Sequence, residues 1–92
     1  MSKLSEDQVA VNLSLLPLWK HEGGSLVKTF VKETFMEAID FVVAIAKLAE
    51  AANHQPDLLI QFNKVTITSS THDSHGVTGK DFLLAQQIES IG

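Results

Sequence analysis

A helical period runs through residues 35–53 and is cut short by a proline, and that break limits the folds open to this chain. At about 100 degrees per residue, Phe35, Ile39, Val42, Ala46 and Ala49 fall on one stripe. Phe41, Ile45 and Leu48 fall on a second, roughly a quarter to a third of a turn away. One apolar stripe suffices to cover a sheet. The second needs another cover, from a first helix, a last helix or another subunit, and another subunit is the favoured one. Pro56 cannot continue a helix and pushes residue 55 out of the helical region, so the helix must stop close to His54. Beyond the proline the pattern turns strand-like. Residues 57–62 carry the short apolar run Leu58-Leu59-Ile60, and Asn63-Lys64 provides a turn. Residues 65–69 then alternate Val65 and Ile67 against Thr66 and Thr68.

The first half of the chain has the same grammar. Ser5-Glu-Asp-Gln8 is a capping box, followed by Val9, Leu13 and Leu16 at helical spacing and closed by Pro17, which predicts a helix over 6–15. Residues 18–22 and 25–31 read as strands joined by Gly23-Gly24, a hairpin. Thr34-Phe-Met-Glu37 is a second capping box, opening the long helix. Residues 72–77 read as polar loop. Thr78-Gly-Lys-Asp81 caps a last helix bearing Phe82, Leu84, Ala85, Ile88 and Ile91. The expected order is α-β-β-α-β-β-α: a two-layer α+β sandwich, a four-stranded antiparallel sheet with helices packed on one face.

With 92 residues the chain is expected to form a single domain, 1–92, whose core is modest enough that oligomerisation is a natural supplement. It has no cysteine, which removes disulfides, thiolate metal sites and thiol nucleophiles, and fits a reducing cytoplasm. No apolar run is long enough to span a bilayer, and residues 1–7 lack the apolar segment of a signal peptide. Eleven acidic residues against seven lysines and no arginine give a net charge of −4. That argues against direct nucleic-acid binding and removes the bidentate phosphate clamp. A neutral or weakly charged small molecule is the easier partner.

His54 is the first candidate for chemistry. On a continuing helix it shares a face with Glu50, four residues back. Both that carboxylate and the last helical carbonyls favour a positive imidazole, which suits a general acid. The bland alternative is a helix-terminal histidine interacting with the dipole. His72 follows a Thr/Ser-rich strand; taken alone, it is a loop histidine. His72-x-x-His75 supplies too few ligands for a metal, and no metal site is expected. His21 reads as a surface residue and Trp19 as core, with a cleft wall as its alternative. Ser70 and Thr71 are strand-end hydroxyls. Asp81 has a ready structural role as the acidic partner in the final capping box.

Glu50-x3-His54-Gln55-Pro56-x5-Phe62-x9-His72-x8-Asp81 resembles the signature of the pterin-4a-carbinolamine dehydratases. Trp19, Asn63-Lys64-Val65-x-Ile67-Thr68-x-Ser70-Thr71-His72 and the last helix extend the likeness over about residues 5–91. Gln55 departs from it, because many members carry a second histidine there. The resemblance implies dehydration of a 4a-hydroxytetrahydropterin to the quinonoid dihydropterin, a step in tetrahydrobiopterin recycling that needs neither metal nor redox cofactor. It implies catalytic roles for His54, helped by Glu50, and for His72, oriented by Asp81. Asn53, His54, Gln55, Ser70, Thr71, His72 and Asp73 become substrate contacts. It also implies a homodimer joined edge to edge or a homotetramer packed through its long helices. Family members double as dimerisation cofactors for a transcription factor, so the alternative is a non-catalytic binding module, with the apolar face of helix 34–53 as its partner surface. Gln55 can hydrogen-bond but cannot exchange a proton near neutrality. It slows the reaction if the second histidine carries the limiting transfer, and suffices if that histidine only positions the ring.

Overall fold

Two of the three capping boxes close as expected, and each of the three starts a helix. In the computed structural model, which describes residues 2–92, Gln8 N–H donates to Ser5 Oγ, and the Gln8 side chain accepts from Ser5 N–H. Met1, the first residue of the N-terminal segment read above, lies outside the described residues. At Thr34 only half the box forms. Its Oγ1 accepts from Glu37 N–H, while the Glu37 carboxylate meets the Thr34 hydroxyl and not its backbone. At Thr78 the box closes again, with Asp81 accepting the Thr78 N–H.

The elements are α1 (Glu6–Leu13), β1 (Lys20–Glu22), β2 (Ser25–Val31), α2 (Phe35–Ala52), β3 (Asp57–Gln61), β4 (Lys64–Ser69), a 3₁₀ turn (His72–Ser74) and α3 (Gly79–Ile91). The order and the α+β class match the expectation. The sheet runs β1-β2-β4-β3, antiparallel throughout, so two hairpins lie side by side with β2 against β4 at the centre. Gly23 and Gly24 both take positive φ, as a tight two-residue hairpin turn requires. The helices cover one face of the sheet. Leu26 and Phe30 of β2, with Val65, Ile67 and Ser69 of β4, point into that layer at every second position. Leu26, Ile45, Val65, Ile67 and Ile88 are completely buried. Each such aliphatic side chain contributes about 1.5–3 kcal/mol on leaving water.

Several boundaries differ from the sequence reading. The first helix ends at Leu13 and not at Leu15, because Leu15 and Leu16 donate three residues back, to Asn12 and Leu13. The chain then turns at Pro17-Leu18, with Leu18 in the left-handed region (φ 66°), which delays the strand from residue 18 to Lys20. The second hairpin turns at Phe62-Asn63, one residue early. Phe62 is left-handed (φ 56°) and outside the strand, while Lys64 joins β4. The helix face is also corrected. The buried line on α2 is Ala38, Phe41, Ile45 and Ala49, the seam between the two apolar stripes. Phe41 and Ile45, expected to await another subunit, lie in this chain's own core, and Phe35 and Ala46 of the supposed sheet-facing stripe are exposed. Trp19 is core, packed edge-on to Phe30.

Candidate active site

The C-terminus of α2, the end of β4 and the N-terminus of α3 meet at one end of the molecule, and each delivers part of a cleft. On the α2 side, Asn53 adopts the left-handed conformation (φ 51°, ψ 45°), which asparagine tolerates better than most residues. Asn53 N–H donates to the Glu50 carbonyl and His54 N–H to the Ala49 carbonyl, the paired bonds that reverse a chain at a helix end. His54 therefore lies beyond the helix. The expectation that Glu50 partners His54 one turn away fails for this reason. Glu50 instead accepts a hydrogen bond from Gln55 Nε2 at 3.1 Å.

The partner of His54 is Asp81. His54 Nε2 lies 2.6 Å from Asp81 Oδ1. Ser69 Oγ donates to the same oxygen at 2.6 Å, and Oδ2 accepts from the Thr71 hydroxyl at 2.7 Å and Thr78 N–H at 2.9 Å. Thr71 has spent its only hydroxyl proton on Asp81, so the Thr78 hydroxyl must donate to Thr71 Oγ1 across their 2.8 Å contact. Thr78 Oγ1 in turn accepts from Lys80 N–H. Complete burial of the Asp81 side chain by itself favours the neutral acid, but hydrogen bonds from His54, Ser69, Thr78 and Thr71 outweigh it and hold the carboxyl below its ordinary range. Asp81 is thus a carboxylate near neutrality. A carboxylate only accepts, so His54 Nε2 carries a proton and Nδ1 is the nitrogen left for a ligand.

The expectation that Asp81 orients His72 is thereby corrected. The carboxylate belongs to His54, because residues 72–74 leave β4 as a 3₁₀ turn closed by the Thr71–Gly76 bridge, and Thr71 N–H donates to the Gly76 carbonyl at 2.8 Å. Residues 72–77, read as plain loop, are therefore ordered by their own backbone. His72 is exposed on the cleft rim.

The cleft has a volume of about 270 Å³ and is lined by Asn53, His54, Gln55, Ser70, Thr71, His72, Asp73 and Lys80. All the substrate contacts expected from the sequence line it, although the Thr71 hydroxyl is committed within the protein. Asp81 lies beneath the cleft and Glu50 outside its lining. Ser69, Thr78 and Lys80 were not foreseen as site residues. Ser69 had a visible signal: it continues the inward alternation of Val65 and Ile67, placing a hydroxyl where an apolar residue belongs. Lys80 offered none beyond its place beside Asp81. Among the described residues no group of three or more His, Asp or Glu side chains could hold a metal. No helix there is long and apolar enough to cross a membrane.

A sequence profile of the family described as pterin 4 alpha carbinolamine dehydratase matches residues 2–91. The chain belongs to that family. A pterin-4-alpha-carbinolamine dehydratase family protein of Roseiflexus castenholzii, provisionally named for that activity, is 48% identical over 96% of this chain and 95% of its own length. A relative from Chloroflexus aurantiacus with the same provisional name is 45% identical over 99% of this chain and 98% of its own. The fold is similar to the crystal structure of a protein described as a transcriptional coactivator/pterin dehydratase from Brucella melitensis. It has a TM-score of 0.94 and 27% identity, and the match covers 98% of both chains. A pterin dehydratase-like protein described as a RuBisCO assembly factor in the alpha-carboxysome shares the fold, with a TM-score of 0.69 at 20% identity over 79% of this chain and 87% of its own. The dehydratase family fold thus carries more than one described role.

Proposed function

We propose that the cleft dehydrates a 4a-hydroxytetrahydropterin to the quinonoid dihydropterin and water. The observation that supports this most is the 2.6 Å pairing of His54 Nε2 with buried, ionised Asp81 at the wall of a pterin-sized cleft. In the reaction the C4a–O bond breaks, its electron pair leaves with the hydroxyl, and the adjacent ring nitrogen supplies electrons as it loses its proton. Hydroxide is a poor leaving group, so an acid must protonate that oxygen while a base takes the nitrogen's proton. His54 can serve through Nδ1 in either direction, since Asp81 keeps Nε2 protonated and stabilises the imidazolium when it forms. His72 on the rim is the second proton-transfer or hydroxyl-orienting group. Asn53, Gln55, Ser70 and Asp73 hold the ring by in-plane hydrogen bonds, and Thr71 does so through its backbone carbonyl. The chemistry calls for no metal or redox cofactor.

The test is stopped-flow absorbance on chemically generated 4a-hydroxytetrahydropterin. Wild type is expected to accelerate the reaction over the spontaneous rate, and His54→Ala to lose about 100-fold or more of that acceleration. Full turnover in His54→Ala would sink the assignment.

A second reading is favoured by Gln55, which cannot transfer a proton, and by the description of the Brucella protein as both transcriptional coactivator and pterin dehydratase. In it the chain is a binding module, and exposed Phe35, Met36 and Val43 on α2 meet a helical partner. Under either reading we place the chain in the cytoplasm as a homodimer or homotetramer, with α2 and the β3 edge as the faces between copies. Pterin turnover only in Gln55→His would favour the module.

A further inference from the structure

Gln55 stands where many family members carry a second histidine, and its amide nitrogen is engaged by a carboxylate of the same chain. The turn at Asn53 doubles the chain back, so residue 55 comes alongside residue 50 and Gln55 Nε2 donates to Glu50 Oε1 at 3.1 Å. An ionised carboxylate accepts and never donates, so the nitrogen and not the oxygen must face Glu50. Gln55 lines the cleft and Glu50 does not. We propose that Glu50 is a positioning residue that turns Gln55 so that its Oε1 faces the cleft as a hydrogen-bond acceptor, selecting a ligand edge that offers N–H. This deepens the pterin reading above and rests on it.

The consequence is a difference in recognition. A neutral histidine at position 55 can accept or donate through its ring nitrogens, and a protonated one only donates. Gln55 held by Glu50 commits one amide hydrogen to that carboxylate and turns its carbonyl oxygen to the cleft. A pterin supplies suitable donors in its ring N–H groups and exocyclic amine, whereas a ligand with a carbonyl at that edge would meet oxygen against oxygen. The residue thus contributes orientation and selection, while proton transfer stays with His54.

The experiment measures the Kd of 7,8-dihydrobiopterin, a dihydropterin without the 4a-hydroxyl, by calorimetry. The proteins are wild type, Glu50→Ala, Gln55→Ala, the double alanine variant and the exchanged pair E50Q/Q55E. In the exchanged pair the new amide at position 50 donates to the new carboxylate at position 55, which still presents an acceptor to the cleft. Each single alanine variant is expected to weaken binding about three- to tenfold, the effect of one hydrogen bond. The double variant should be no weaker than the worse single one, and E50Q/Q55E should bind within about twofold of wild type. KM should rise in Glu50→Ala while kcat changes little. Melting temperatures should stay put, because both side chains are exposed. Additive losses in the double variant, or an exchanged pair as weak as Glu50→Ala, overturn the inference and leave the pterin reading standing. A wild-type protein that does not bind the dihydropterin overturns both.

Discussion

Beneath the cleft, Asp81 is fully buried and receives hydrogen bonds from His54, Ser69, Thr71 and Thr78; at the rim, exposed Gln55 and Glu50 share a single contact of 3.1 Å. The floor joins β4, the loop after it, α3 and the residue beyond α2 through one carboxylate. The rim joins residues five apart. A buried carboxylate left short of donors costs far more than an exposed amide left without a partner, because only the second can turn to water. The floor is therefore able to hold His54 in one tautomer and one place. The rim can change its hydrogen-bonding character without disturbing the fold, which is how glutamine can stand there in place of histidine.

The sharpest way to break this contrast is Asp81→Asn. Stability should fall by about 2–4 kcal/mol near neutrality and turnover by about 100-fold, read by denaturant unfolding and stopped-flow absorbance. The loss should depend on pH. The Asp81 carboxyl is held below its ordinary range in the folded protein, so its contribution is complete above the unfolded value of about 4. It fades as pH falls through that value toward the folded one, so the gap between wild type and Asp81→Asn should close in acid. A gap independent of pH would show that the charge is not what the floor holds. Ser69→Ala comes next, with a stability loss of about 1.5–3 kcal/mol for one hydrogen bond to a charged group, and a smaller loss of turnover because His54 stays paired.

At the rim, His72→Ala should slow turnover about tenfold or more while leaving unfolding within about 0.5 kcal/mol of wild type. A large stability change there would erase the distinction between floor and rim. Lys80→Ala should have the smallest effect: unchanged stability within about 0.5 kcal/mol and a change in KM of about threefold or less, checked by steady-state kinetics.

Much of the fold was legible because local rules and tertiary structure agree. Ser5, Thr34 and Thr78 start the helices, Gly23-Gly24 turns the first hairpin, and the alternation through residues 65–69 gives β4 its inward face. Misplaced boundaries lie where bulky residues accept the left-handed backbone. Leu18 and Phe62 do so, and propensity assigns that conformation to glycine or asparagine. The face of α2 was misjudged because two apolar stripes of similar strength lie side by side, and only the sheet selects the seam between them.

For the site, the chain by itself determined the chemically able residues: His54, His72 and Asp81 at their spacing, the absence of cysteine and the stop at Pro56 are all properties of linear order. Tertiary structure alone decided who pairs with whom. Asp81 faces His54 and not His72, and Glu50 faces Gln55 and not His54. The physical reason is the left-handed turn at Asn53, which takes His54 off the helix, together with the β2–β4 pairing that sets β4 beneath the helix layer. Spacing along one helix foretells contacts only while the helix continues. Once the chain reverses, partners are chosen by which groups the fold brings side by side, and a sequence read along its length does not show that.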